Sequence, residues 1–346
     1  IGGWSDQIPA DAGYYVDSSG ASNPTACPAG TYNPNTGSTN SSACINAIPG
    51  YYAPLASSAQ IPAEAGYYVD SSGASSTTAC PAGTYQPSTG QSSCLDAAAG
   101  YYVDSTQATS QTECAVGTYQ PSTGQSSCLD SDVGHYVDST GSSTQTACSL
   151  GTYQPLTAQS SCLDSDVGHY VDSTGSSTQT ACLIGTYQPS TGQSSCLDAA
   201  AGYYVDSTQA TSQTACSIGT YQPSTGQSSC LDADTGYYVD STQATSQTAC
   251  LIGTYQPFTG QSSCLDADAG YYVDSTQATS QTACLIGTYQ PSTGQSSCLD
   301  ADAGYYVDST EAISQTACSL GTYQPSTAQS NCLDADVGHY VDSTGS

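Results

Sequence analysis

Cys284-Leu-Ile-Gly-Thr-Tyr-Gln-Pro-Ser-Thr-Gly-Gln-Ser-Ser-Cys298, continued by Leu-Asp-Ala-Asp-Ala-Gly304-Tyr-Tyr-Val-Asp308 and a polar run to Cys318, is the stretch of which nearly all of this chain is a copy. From Cys80 onward the cysteines stand at 80, 94, 114, 128, 148, 162, 182, 196, 216, 230, 250, 264, 284, 298, 318 and 332, so intervals of 14 and 20 alternate and sum to 34. A fixed period of this size marks a repeat array. Residues 1–12 are read as an N-terminal lead and 13–65 as a divergent module, holding Cys27, Cys44 and a half-unit at Gly50 that no cysteine follows. Eight 34-residue repeats then run over 66–337, and a partial ninth over 338–346. An atypical terminal module is what a solenoid needs to close an otherwise open core.

A 34-residue unit is too small to be stabilised by an apolar interior alone. The apolar groups of one unit are Leu299, Val307, Tyr305, Tyr306, Tyr289 and Ile286, which predicts a thin core assembled from these side chains. Tetratricopeptide repeats share the 34-residue period, but strong helix formers are scarce here and Gly, Ser, Thr, Pro and paired Tyr dominate. Gly-Tyr-Tyr-Val-Asp and Gly-Thr-Tyr-Gln read instead as short strands flanked by breakers. The expected fold is therefore small, disulfide-rich and mainly β, an elongated array (solenoid or rod) of short strands and turns. The glycines before Thr-Tyr and before Tyr-Tyr or His-Tyr do not vary from Cys80 onward, which points to backbone needing positive φ or close approach. The glycine of Ser-Thr-Gly-Gln becomes Ala158 and Ala328, so that turn is less demanding.

The chain has no Lys or Arg against 29 acidic residues, so no side-chain salt bridge with either can form. Nucleic acid is excluded as a partner, because Lys and Arg supply most of that affinity, and anionic membranes are disfavoured likewise. Carboxylates spaced along an array repel weakly in a salty exterior, and trypsin-like proteases find no site. No apolar run is long enough to span a bilayer, so membrane insertion is not expected. The chain opens on Ile1 without Met, read as removal of a signal peptide. Its stop within the ninth unit at Ser346 has two readings: a portion of a longer array, or a unit completed by a neighbouring subunit.

Eighteen cysteines at strict spacing read as disulfides and an extracellular or cell-surface location. No CxxC pair supports zinc. Loop entropy does not choose between pairings 14 and 20 apart, since the two differ by only about 0.3 kcal/mol. Pairing 14 apart, with Cys27 to Cys44 as its longer version, uses every cysteine, whereas the other phase strands Cys27 and Cys332. Nine intramodule disulfides are predicted, with an intermolecular bond between terminal cysteines as the alternative.

Cys27-Pro-Ala-Gly-Thr-Tyr32 and Cys80-Pro-Ala-Gly-Thr-Tyr85, each with a later cysteine and a Gly-Tyr-Tyr, resemble the ephrin-receptor-like cysteine-rich repeats, relatives of the TNF-receptor type. The resemblance covers nearly the whole chain. It implies an extracellular or surface protein built as a ladder of small disulfide-linked β modules. That family commonly doubles the cysteines at each node where this chain has single ones, so its interlocked pairings do not transfer.

Other candidate sites are few. Asp232/Asp234, Asp266/Asp268, Asp300/Asp302 and Asp334/Asp336 place alternate oxygens before a glycine, as calcium loops do, without the closing bidentate Glu. Weak calcium binding or a solvated acidic turn are both open, and no other cofactor is expected. His135, His169 and His339 stand where other units have Tyr and have no nucleophile beside them, so no catalytic site is expected. The 28 tyrosines are expected either to fill the core or to form aromatic ladders, with one of each pair facing outward. Asn40-Ser-Ser is the one N-glycosylation sequon, and the Ser and Thr allow O-linked glycans. Trp4 is read as a packing plug or an end contact. The functional expectation is an extracellular structural protein, the subunit of a filament, appendage or surface coat, self-associating into a filament or bundle; the alternative is the stalk of an adhesin or receptor-like surface protein with its binding head outside this segment.

Overall fold

From Gly66 onward, glycines 17 residues apart open the hairpins of this protein. In the computed structural model, which describes residues 7–346, Gly66, Gly83, Gly100, Gly117 and their successors all take positive φ, between +74° and +92° from Gly66 to Gly338. Each of these as far as Gly321 is followed by a two-residue strand that pairs antiparallel with a second two-residue strand further on. The 34-residue sequence repeat is thus two hairpins with one backbone plan. Hairpin A opens on Gly-Tyr-Tyr or Gly-His-Tyr, as where Tyr271 and Tyr272 pair with Ala283 and Thr282. Hairpin B opens on Gly-Thr-Tyr, as where Thr288 and Tyr289 pair with Asp300 and Leu299. A two-stranded hairpin is marginal on its own, so stability must come from what lies between hairpins.

The chain divides into two compact units, one taking in the residues up to Ser165 together with Val171–Gln179, the other Asp166–Tyr170 with Thr180–Ser346. Inside the first, Gly83 N–H donates to Val103 O (2.7 Å) and Gly100 N–H to Gln120 O (2.8 Å), tying each hairpin to the next. Val103 N–H donates to Gln125 O (3.0 Å), and Gln107 N–H reaches back two hairpins to Cys80 O (2.9 Å). Inside the second unit the same pattern joins Gly270 N–H to Gln290 O (2.8 Å), Val273 N–H to Gln295 O (2.9 Å) and Gln277 N–H to Cys250 O (2.9 Å). The divergent module keeps this frame, with Gly13 N–H on Asn33 O, Gly30 N–H on Ala53 O and Gly50 N–H on Val69 O. Its extra residues form a 3-10 turn at Ser41–Ala43 capped by Asn40. Its hairpin at Gly50 lacks cysteine and buries Ala53 and Ala63 instead.

The opening glycine is irreplaceable for a second reason besides φ. A Cβ on Gly270 would sit 2.3 Å from Glu311 O, and one on Gly83 2.3 Å from Gly124 O, both in the turn two hairpins on. That turn is also left-handed, but it has room: Gly294 there has φ +70° and would place its Cβ 3.6 Å from the Asp266 carboxylate. Ala158 and Ala328 accordingly keep the same conformation, at φ +59° and +62°, as do Gln277 and Glu311.

The interior is narrower than hydropathy suggests. Three residues after the glycine, a buried Val in hairpin A alternates with a buried Gln in hairpin B, as Val273, Gln290 and Val307 show at 3%, 4% and 3% exposure. Fourteen after it, a buried Cys in A alternates with Ala or Ser in B: Cys250, Ala267, Cys284, Ala301. Of the core expected from sequence only Val307 is fully enclosed. Leu299 and Ile286 are 47% and 55% exposed and the tyrosines half-buried, because a column in which a glycine Cβ would strike a carbonyl admits nothing larger than Cys, Ala or Ser beside it. Sequence reasoning missed the glutamines. Gln290 folds inward, donating from Nε2 to Ser297 O (2.8 Å) and accepting at Oε1 from Ser292 N–H (3.2 Å), so its amide closes the turn of its own hairpin. Every described buried side-chain polar atom has such a partner.

Nine disulfides join Cys27–Cys44, Cys80–Cys94, Cys114–Cys128, Cys148–Cys162, Cys182–Cys196, Cys216–Cys230, Cys250–Cys264, Cys284–Cys298 and Cys318–Cys332, with Cα atoms 5.6–5.8 Å apart. Each links the buried end of a hairpin A to the following hairpin B, leaving the step from B to the next A to hydrogen bonds and packing.

Candidate functional site

Because the strands alternate faces, the frame sorts the surface into columns. All 28 tyrosines fall on the two positions after an opening glycine. The second of these positions carries Tyr in every hairpin, paired across the strands from Gly66 to Gly321 with Thr in A and Leu in B, as Tyr272 with Thr282 and Tyr289 with Leu299. The first carries Tyr or His in A and Thr in B, on the opposite side, facing the turn two hairpins on. There Tyr51 Oη lies 3.5 Å and Tyr305 Oη 3.5 Å from the Cβ positions of Gly90 and Gly345. The Tyr271 hydroxyl donates to the Glu311 carboxylate, and that bond, with the negative charge near it, holds the phenol above its usual pKa.

His135 and His169 occupy this same first position, each with Nδ1 3.2 Å from a carbonyl two residues earlier, Val133 O and Val167 O. His339 is exposed. The paired aspartates diverge. Asp268 Oδ2 accepts from Gln281 Nε2 (2.8 Å) while Gln281 Oε1 accepts from Asp268 N–H (2.7 Å), fastening the entry to hairpin A. Asp266, in the strand, packs its carboxylate against Gly294. Among the described residues no three His, Cys, Asp or Glu side chains converge as metal ligands. Asn40 is exposed, its side-chain oxygen accepting from the Ser42 amide (3.0 Å) and the Ser42 hydroxyl. Trp4 lies outside the described residues.

One carboxylate per repeat does no work inside the chain. Every Gly-Tyr-Tyr-Val and Gly-His-Tyr-Val run is followed by Asp, from Asp17 to Asp342. In the second unit three of these, Asp240, Asp274 and Asp308, are exposed and accept no hydrogen bond. Each of the three shares a shallow notch with the Tyr two residues before it. The notch of Asp274 holds about 350 Å³, with Tyr272, Leu285, Thr288 and Ser296 around it. Those of Asp240 with Tyr238, and of Asp308 with Tyr306, hold about 380 Å³ each. Near-equal notches thus recur at the 34-residue step.

The fold and surface define a class: tandem β hairpins, covalently stapled in pairs, with every second hairpin contributing a buried cysteine. The family model described as tyrosine-protein kinase ephrin type A/B receptor-like matches residues 66–114, 100–148 and 168–216. Each match runs from the opening glycine of one hairpin A to the buried cysteine of the next. Residues 66–148 and 168–216 are thus ephrin-receptor-like cysteine-rich repeats. No curated protein matches it.

Proposed function

We propose that the chain is an extracellular structural protein, the subunit of a filament, appendage or surface coat. The observation that carries this reading is the backbone hydrogen bonding from hairpin to hairpin, which repeats one surface at a regular step within each unit and leaves that surface free to associate laterally or end to end. Non-closing contacts between identical surfaces generate filaments. Nine disulfides suit an oxidising exterior, and among the described residues no helix is long and apolar enough to cross a membrane. The columns carry structural duties, and no catalytic role is assigned to them. Negative-stain microscopy of the native material is expected to find filaments or bundles. Isolated single chains at high concentration would sink the reading. The family match favours a second reading, a receptor-like or adhesin stalk, and a non-repeat domain elsewhere in the full gene product would mark it.

A further inference from the structure

We propose that the row of Tyr–Asp notches is a multivalent receptor for the basic side chains of a cationic polypeptide. Three observations converge on Asp240, Asp274 and Asp308. The other aspartates of a repeat lie elsewhere: Asp234, Asp268 and Asp302 each hold a glutamine amide, and Asp232 and Asp266 lie in the strands beside the turns at Gly260 and Gly294. The notch aspartate accepts no hydrogen bond and is the one that shares a notch with a tyrosine, and it is present after every Gly-Tyr-Tyr-Val and Gly-His-Tyr-Val run, whereas the glutamine-holding position becomes Ala98 and Ala200 in two of them.

The second observation is what shares the notch. A half-buried tyrosine ring, Tyr238, Tyr272 or Tyr306, lines it, with threonine and serine hydroxyls opposite. The Thr288 hydroxyl donates to Leu285 O (2.8 Å), which leaves its own lone pairs turned to acceptor duty. A carboxylate, a π face and hydroxyl oxygens together form a site that favours a guanidinium or ammonium group. A single carboxylate per notch is too few for a hard divalent cation, which needs six to eight oxygens.

The third is charge. With a net −29, the chain has no Lys or Arg to set against these carboxylates, and a second copy brings none either. The occupant is therefore a different polypeptide, rich in Arg or Lys. Repetition at a fixed step turns weak single contacts into avidity.

The test uses the full disulfide-bonded chain, a synthetic peptide carrying three arginines on Gly-Ser spacers, and calorimetry at low and high salt. The variant D240N/D274N/D308N is compared with D232N/D266N/D300N, which removes the same charge from the strand positions. The notch variant is expected to bind the peptide about tenfold more weakly, and the control to stay within about twofold. Y238L/Y272L/Y306L is expected to weaken the arginine peptide more than a lysine peptide of the same spacing. Circular dichroism of each variant shows whether the array is intact. Equal loss in the two aspartate variants would reduce the effect to the diffuse field of the chain and overturn the proposal. So would an absence of peptide binding, or a neutral oligosaccharide that binds the parent and is lost in the notch variants.

Discussion

Hairpins A and B share a backbone but not a lock. In A the position three residues past the glycine is a valine, held by dispersion and the exclusion of water, and the entry is fastened from outside by a glutamine such as Gln281. In B the same position is a glutamine whose amide replaces the missing apolar contact with two hydrogen bonds to its own turn. The sulfur bridge is shared, its buried end in A and its half-buried end in B. The backbone thus repeats every 17 residues and the side chains every 34, so one fold tolerates two chemistries provided that each closes its turn and leaves the glycine bare.

The sharpest way to break this equivalence is at the glycines. Gly270→Ala puts a Cβ against a carbonyl, and should cost about 3 kcal/mol or more and open the repeat locally. Gly294→Ala, in the roomy left-handed turn, should cost about 1 kcal/mol. Thermal denaturation of the two variants side by side checks the contrast, and equal losses would mean that φ alone matters. Removing one staple, as C284A/C298A, comes next, at about 2–5 kcal/mol. Hydrogen exchange should place the damage on both hairpins flanking that bridge rather than on hairpin B alone.

Gln290→Leu sharpens the comparison of locks. The substitution is more apolar yet leaves Ser297 C=O and Ser292 N–H without their partner, so it should destabilise by about 1–3 kcal/mol in denaturant titration. A neutral or stabilising result would make B an apolar hairpin after all. The smallest effect concerns the faces. The Tyr271 phenol, raised by its bond to Glu311, stabilises the folded chain below the ordinary phenol pKa, and that contribution disappears as pH rises through the elevated value. In E311Q, whose glutamine matches Gln277 at the equivalent turn, ultraviolet titration should find Tyr271 ionising at lower pH than in the parent.

Much of this was legible in the residues. The 34-residue period, the β class and the special glycines follow from spacing and from breakers around Tyr-Tyr and Thr-Tyr. The halved period was also present, in glycines 17 apart, but cysteine intervals of 14 and 20 mask it, because the bridge joins unlike points of two hairpins. The interior was not legible by hydropathy. Leu299 and Ile286 look like core and face solvent, while Gln290 looks like surface and is buried, because its amide bonds to its own turn at the position where hairpin A buries a valine. The signal that could have revealed it is the unvarying Gln of Gly-Thr-Tyr-Gln in every unit from Cys80. The notches were less accessible still, because Asp274 and Tyr272 meet Thr288 and Ser296 only once the hairpins are stacked.

The claim on which the rest stands is that within each compact unit the hairpins bond one to the next, across bridged and unbridged steps alike. Native-state hydrogen exchange read at the amides of Gly236, Gly253, Gly270 and Gly287, all donors to the following hairpin, tests it directly. Comparable protection at all four, repeating every 17 residues, is the predicted result. Strong protection at Gly236 and Gly270, whose bonds run from a hairpin A to the B bridged to it, with fast exchange at Gly253 and Gly287, would show disulfide-bonded pairs strung on loose joints and would contradict it.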